Sequence, residues 1–156
     1  MANIAVASGT VTRPADITAY ASGDLVANST TAGSVVPITL ANLCNGPGQS
    51  AQIRRLRIRT SSTNITTATF RVHLFSSATI TAANGDNAAF SVSGSANYLG
   101  QADVTLTQAF TDGAFGTVTT EINTYGAQNV YALLEARSAY TPTSAGTITV
   151  SLEATL

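Results

Sequence analysis

The sequence contains no lysine and no tryptophan, and only 10% of its 156 residues are charged, against about 25% in an average protein. Seven arginines and eight acidic residues leave a net charge of −1. Without a large positive field the chain is a poor candidate for a nucleic-acid binder, and 44% hydrophobic content disfavours disorder. We therefore expect one compact domain that binds no nucleic acid.

Residues that carry enzyme chemistry are equally scarce. The only cysteine, Cys44, has no partner for an intramolecular disulfide and cannot by itself build a cysteine zinc site. The only histidine, His73, has no acidic or cysteine neighbour in the sequence. No apolar run approaches the roughly 18 residues of a membrane-spanning helix. These residues are poor evidence for catalysis, and no segment is predicted to enter a membrane.

Alanine and threonine are the most abundant residues of the chain, with 26 and 25 residues respectively. Threonine favours strands, and it mostly alternates with apolar residues, most clearly in residues 147–154. Similar alternation occurs in residues 70–75, 103–107 and 130–137, and shorter strands are expected at 34–42, 51–60, 88–92 and 115–122. The pattern predicts an all-β fold, a single antiparallel β-sandwich that is jelly-roll-like.

The first 30 residues differ from the rest because turn residues interrupt them repeatedly. They still contain apolar side chains, including Val6, Val11 and Leu25, that need to be covered. We expect residues 1–30 to form either an extended N-terminal arm, lying on its own sandwich or on a neighbouring subunit, or a first strand with a long loop. Residues 31–156 then form the sandwich domain.

The densest positive charge lies in residues 54–59, which read RRLRIR. In a strand, Arg55, Arg57 and Arg59 share one face. The next predicted strand carries Arg71 and His73 on its polar face, so a hairpin between the two strands would join them into one positive stripe. Because arginine binds carboxylates through two parallel hydrogen bonds, we predict a docking patch for acidic groups of a neighbouring subunit.

Two other interpretations of this charge remain open. The arginines could pair within the chain, with acids such as Asp103, Glu135 or Glu153, or the stripe could bind phosphates, although it lacks interleaved aromatic residues. The scattered tyrosines are expected at core edges or subunit contacts. The candidate interface residues are Arg13, Tyr20, Arg55, Arg57, Arg59, Arg71 and His73.

Several stretches resemble one family of small structural proteins of tailed-bacteriophage virions. Residues 11–28, VTRPADITAYASGDLVAN, resemble the opening of these proteins, and residues 70–75, FRVHLF, resemble their FRLHLF strand. The stretches DNAAF at 86–90 and YLG at 98–100 follow in the expected order. The resemblance covers roughly residues 11–100, and the last third of the chain is less distinctive.

Members of this family look like capsid decoration, or cement, proteins, which bind the outside of an assembled head and hold neighbouring capsomers together. The resemblance implies a virion protein that is made in the host cytoplasm and lies on the outer capsid surface. It implies the major capsid protein as the partner, and a homo-oligomer, with a trimer favoured, as the oligomeric state. It implies no enzyme, cofactor or metal. A glycan-binding sandwich associated with a tail or fibre is the alternative, and a small hydrolase built around His73 is a third class.

Overall fold

The computed structural model describes residues 3–44, 46–63 and 65–156, which fold into twelve strands and two short 3-10 turns, at Ala32–Ser34 and Ser95–Asn97. In chain order the strands are β1 (Ile4–Thr12), β2 (Leu25–Val26), β3 (Ile38–Leu40), β4 (Gln52–Thr60), β5 (Thr69–Phe75), β6 (Thr81–Ala82), β7 (Val92–Ser93), β8 (Tyr98–Thr105), β9 (Gln108–Phe110), β10 (Gly113–Asn123), β11 (Val130–Ala136) and β12 (Thr147–Thr155).

These strands form two antiparallel sheets packed face to face. The first sheet has the order β1-β12-β4-β10-β9, and the second has the order β2-β11-β5-β8, with β3 also pairing with β11. Strands β6 and β7 form a separate two-stranded ribbon. Along the chain, the long strands pass from the first sheet (β4) to the second (β5 and β8), back to the first (β10), then to the second (β11) and the first (β12). This arrangement confirms the predicted β-sandwich and is compatible with a jelly roll.

The alternating pattern of the sequence determines which side of each strand is buried. In β12, Ile148, Val150, Leu152 and Ala154 are buried, while the intervening residues are half-buried and face outward. The inward side chains of both sheets form one hydrophobic core, with Leu56, Phe70 and Leu134 among its fully buried members.

The two sheets approach each other closely along both sides of the sandwich, and a glycine marks each approach. A side chain at Gly9 in β1 would place its Cβ 2.5 Å from the carbonyl oxygen of Thr39 in β3. On the opposite side, a Cβ at Gly116 in β10 would collide with the carbonyl oxygen of Thr105 in β8. Both positions therefore require the smallest residue for the sheets to meet.

The outer faces of the two sheets differ in how far other segments of the chain cover them. A second hydrophobic cluster covers part of the outer face of the second sheet, where Leu133 and Phe75 pack against Leu25, Ile80 and Ala82. The covering residues come from the segments around β2 and β6. The outer face of the first sheet has no such layer within the described residues, and its exposed residues stand open to solvent.

The N-terminal segment enters the sandwich directly. From residue 3 onward, the first described position, β1 lies at one edge of the first sheet and pairs with β12 from Ile4 to Thr12 without a register shift. Residues 13–24 then cross the end of the sandwich, where Tyr20 pairs with Tyr140 and Gly23 with Ala136 through their backbones. Met1 and Ala2 lie outside the described residues.

Most strand predictions coincide with observed strands, but two do not. The segment 34–42 contains only the three residues of β3. The strand expected at 88–92 is wrong, since only Val92 belongs to a strand. Its backbone groups bind the N-terminal segment instead, with Phe90 donating to Gly23 and Leu25 donating to Ala88. In the described parts of the chain, no helix is long and apolar enough to cross a membrane.

Candidate functional site

The uncovered outer face of the first sheet carries the arginine row that the sequence predicts. Arg55, Arg57 and Arg59 project outward from β4, the central strand, while Leu56 and Ile58 are buried beneath them. Beside this row run hydroxyl side chains of β12 and β10, so the face is built from arginines flanked by threonine and serine. The face is about 24 Å wide and 30 Å long, from the usual strand spacing and rise.

Two arginines of the row form ion pairs at the surface, and a neighbouring arginine forms a third. Arg55 lies 3.8 Å from Glu153, and Arg59 lies 2.8 Å from Asp112. Arg54, at an irregularity in the pairing of β4 with both neighbours, lies 3.0 Å from Glu121. Intramolecular pairing therefore accounts for these arginines, although exposed pairs of this kind contribute little stability.

Arg57 has a different environment. Its guanidinium lies over the ring of Phe115, 5.2 Å from the ring centroid, and Phe115 in turn stacks with Phe110 at 5.7 Å between centroids. Phe110 is 53% exposed. The structure therefore places Arg57 at the centre of the open face beside an aromatic pair that extends to the edge strand β9, an arrangement that a local sequence pattern does not reveal.

The predicted single stripe that includes Arg71 and His73 is wrong. Strand β4 pairs with β10 and β12 in the first sheet, whereas β5 pairs with β8 and β11 in the second. Arg71 and His73 therefore lie on the opposite side of the sandwich from the arginine row. Arg71 forms two hydrogen bonds with Asp103, at 2.7 and 3.0 Å, as expected for a pair within the chain.

His73 occupies a buried polar network on the second sheet. Its Nε2–H donates to Glu135 at 2.9 Å, its Nδ1 lies 3.0 Å from the Tyr98 hydroxyl, and its ring stacks on Phe90. Burial lowers the pKa of His73, and the hydrogen bond with Glu135 only partly opposes this effect. The pKa of Glu135 is also low, because the hydrogen bonds from His73 and Arg137 outweigh the opposing effect of burial. Glu135 is thus ionised and His73 neutral near pH 7.

The environment of His73 predicts a pH-dependent stability. The unfolded chain takes up a proton near the ordinary pKa of 6.5, while the folded chain does so only at lower pH. The free energy of unfolding should therefore fall as pH decreases from about 7 to 5.5. His73→Gln should abolish this slope, since the chain has no other histidine. Urea denaturation across this pH range measures it, and a wild-type slope of zero contradicts the prediction.

Arg13 and Tyr20, predicted as interface residues, are instead inside the protein. Their side chains meet Asp86, which accepts from Arg13 Nη2 at 3.0 Å and from the Tyr20 hydroxyl at 2.6 Å. The backbone N–H of Ala27 donates to the same carboxylate at 2.7 Å. Arg13 and Asp86 are 1% and 0% exposed at their side chains, so neither Arg13 nor Tyr20 can reach a partner in this conformation.

This buried cluster is further enclosed by aromatic rings and hydrogen bonds. The Arg13 guanidinium lies 4.6 Å from the centroid of the Tyr20 ring and also donates to the Tyr20 hydroxyl, and Tyr20 stacks on Tyr140 at 4.8 Å. Burial raises the pKa of both tyrosines. For Arg13, burial works against the charge, but the bond to Tyr20 and the charge of Asp86 outweigh it and raise its pKa. The cluster joins the N-terminal segment to the turn at residue 86.

Sequence reasoning missed Asp86 as a partner of Arg13 because 73 positions separate the two residues. Residues 84–87, NGDN, have the composition of a turn, and Asn84 binds its own loop by donating to Ala89 at 2.8 Å. Phe115, Phe110 and Ser151 were likewise not connected with Arg57, since a local pattern does not reveal which strands pair. Over the described residues, no group of three His, Cys, Asp or Glu side chains is arranged to hold a metal ion.

The fold and the open face define the class: a two-sheet β-sandwich that presents one uncovered sheet. No family model matches the sequence, and neither does any curated protein. Similar solved structures include a chain of the cyanophage Pam1 capsid asymmetric unit (17% identity, TM-score 0.36, covering 99% of this chain and 86% of that one). Another is a chain of the acid-stable capsid of Helicobacter pylori bacteriophage KHP30 (12% identity, TM-score 0.35, covering 100% of this chain and 94% of that one).

A carbohydrate-binding module, CBM35 from Cellvibrio japonicus Abf62, is similar to the same degree (13% identity, TM-score 0.36, covering 92% of this chain and 91% of that one). The structures similar to this chain thus include both phage capsid proteins and a glycan-binding sandwich. At these identities and TM-scores the similarity assigns no function to this chain.

Proposed function

We propose that this protein is a structural component of a phage virion that binds the outer surface of the assembled capsid and bridges neighbouring capsomers. The role requires no catalytic step, and the major capsid protein is the partner. One observation carries the proposal: among the described residues, the outer face of the first sheet has no covering layer, whereas a hydrophobic layer covers part of the outer face of the second sheet. The resemblance of residues 11–100 to phage decoration proteins points to the same partner.

The bare face has the size and chemistry of a protein interface. Its dimensions correspond to about 700 Å², close to the roughly 800 Å² that each partner contributes to a standard protein complex. Threonine and serine hydroxyls flank its arginine row, and they form hydrogen bonds without the desolvation cost of charges. Exposed Val6 and Phe110 add apolar contact area at its two edges.

A second surface suits contacts between copies of the protein. Residues 1–12 and 25–53 contain no charged residue, and β1 and β3 bring these stretches together on one side of the sandwich. Ile4 and Val36 on this side are 65% and 62% exposed. Because interface cores are depleted of charge, this side is the proposed contact of a homo-oligomer, for which the family resemblance favours a trimer. Several copies acting together would bind a capsid more tightly than one.

Binding to heads can be tested with one obstructive substitution and a matched control. Thr119→Trp places a large side chain on the bare face, beside Arg55, whereas Ala83→Trp places it on an exposed loop residue. We expect Thr119→Trp to weaken binding to purified undecorated heads at least about tenfold, or ~1.4 kcal/mol, and Ala83→Trp to bind like wild type. Equal binding by both variants contradicts docking through this face.

Cryo-electron microscopy of heads with and without the protein measures its location, copy number and symmetry. We expect density on the outer surface at junctions between capsomers, with copies clustered through their uncharged sides. Density inside the shell, or no density on heads, would overturn the proposed function. Isolated single copies on the heads would instead overturn the homo-oligomer.

Glycan binding is the second candidate function, favoured by the Phe110–Phe115 pair. The two rings are inclined by only 18°, and such a pair can stack against the apolar face of a sugar while Arg57 and Arg59 offer hydrogen-bond donors. Binding on a glycan array that is lost in Phe110→Ala, with no affinity for heads, would select this function over capsid binding.

A further inference from the structure

Arg57 is distinguished from the other arginines by the absence of an acidic partner. The other six, Arg13, Arg54, Arg55, Arg59, Arg71 and Arg137, each have a carboxylate oxygen within 4.0 Å. Among the residues that the structure describes, no carboxylate lies that close to Arg57. Its cross-strand neighbours are Ser151 in β12 and Thr117 in β10, which provide hydroxyls and no charge.

A surface depression of about 170 Å³ opens beside Arg57, on the side of β12 and β1. Its walls are formed by Val6, Arg55, Arg57, Ser151, Leu152 and Glu153. On the opposite side, toward β10, the ring of Phe115 supports the guanidinium. Because this contact restricts the arginine before any ligand arrives, less side-chain entropy is lost on binding.

The charges of the depression select the ligand. The depression is lined by Arg55, Arg57 and Glu153, and Glu153 lies 3.8 Å from Arg55. Two guanidiniums and one carboxylate give the depression a net charge of +1. One further carboxylate neutralises this charge, and Arg57 can bind it through two hydrogen bonds. A phosphate dianion would add excess negative charge next to Glu153, so the carboxylate is favoured.

We propose that this depression binds one carboxylate side chain, aspartate or glutamate, of a partner protein. Val6 contacts the methylene groups of the incoming residue, and Ser151 offers a further hydrogen-bond donor. The identity of the partner rests on the proposed function, which makes it the capsid protein, whereas the carboxylate site itself rests only on the geometry around Arg57. The site thus supplies the polar anchor of the bare face.

The site can be tested without a capsid by using acetate as a probe. With seven arginines and no lysine, the Nε–Hε signals of the chain are few enough to follow individually by ¹⁵N NMR. Titration with sodium acetate at constant ionic strength should shift the Arg57 signal saturably and leave the Arg59 signal unchanged. Equal shifts of the two signals, no shift at all, or tighter saturation by sodium phosphate would overturn the carboxylate site.

Head binding by three variants tests the role of the site in docking. Arg57→Gln removes the anchor, and Ser151→Glu places a carboxylate opposite Arg57 within the same chain. We expect each to weaken binding to undecorated heads at least tenfold. Arg71→Gln, on the opposite side of the sandwich and paired with Asp103, should stay within about twofold of wild type. Thermal unfolding of each variant verifies that the fold is retained.

The outcomes separate this proposal from the proposed function. If wild type and all three variants bind heads equally, the site has no part in docking while capsid binding stands. If wild type does not bind heads but acetate still shifts Arg57 selectively, the capsid role fails and the carboxylate site stands.

Discussion

Replacing Asp86 with alanine is expected to lower the free energy of unfolding by about 3–5 kcal/mol. The substitution removes the buried counter-charge of the Arg13 guanidinium, which is 1% exposed, and leaves only the partly exposed Asp16, at 3.5 Å, as its acidic partner. It also removes the acceptor of the Tyr20 hydroxyl and of the Ala27 N–H. Since the cluster connects residues 13–27 to the turn at residue 86, the loss should affect global unfolding. Urea denaturation followed by circular dichroism measures it.

The exposed pair of Arg71 and Asp103 provides the matched control. Its hydrogen bonds, at 2.7 and 3.0 Å, are as short as those of the buried cluster, but it lies at the surface. Asp103→Ala should therefore cost no more than about 1 kcal/mol. Combining Arg13→Met with Asp86→Ala should recover part of the loss, because the buried charge that has lost its buried partner is then removed. Equal costs for Asp86→Ala and Asp103→Ala would show that burial does not govern these pairs.

Replacing Phe70 with alanine is expected to destabilise the protein by about 3–5 kcal/mol. Phe70 is fully buried in β5 between β8 and β11, and its ring meets the edge of Tyr140 at 5.0 Å between centroids. The smaller side chain leaves a cavity that the surrounding strands cannot close, since both neighbours are held by backbone hydrogen bonds.

Phe110 is the control for this prediction, because it is the same residue type on the exposed hairpin of β9 and β10. Phe110→Ala should change the free energy of unfolding by about 0.5 kcal/mol. Both values are obtained from chemical denaturation at pH 7. A cost of Phe70→Ala as small as that of Phe110→Ala would contradict the central position of Phe70 in the core.

Local side-chain patterns were sufficient to predict most long strands. The strict alternation in residues 147–154 corresponds to β12, where every apolar residue is buried. The same rule places Arg55, Arg57 and Arg59 on one exposed face of β4. These predictions succeed because the two-residue period of a strand depends only on backbone geometry and on which side faces the core.

Predictions that required knowledge of strand pairing did not succeed. Arg71 and His73 were joined to the arginine row on the assumption that consecutive strands form a hairpin, but β4 and β5 belong to different sheets. Arg13 and Tyr20 were placed at an interface because nothing local indicates that Asp86 lies beside them. Pairing and burial are decided by contacts between residues far apart in the chain, which a local pattern does not contain.

The sequence by itself determined the all-β class, the inward and outward sides of the main strands, and the scarcity of charge, because these follow from composition and from short-range periodicity. Only the tertiary structure decided how the few charges are used. It buries Arg13 with Asp86 and pairs five arginines with acids near the surface, whereas Arg57 has no acid beside it among the described residues. The physical reason is that an ion pair acts over about 4 Å in space, and only the folding of both sheets sets that distance.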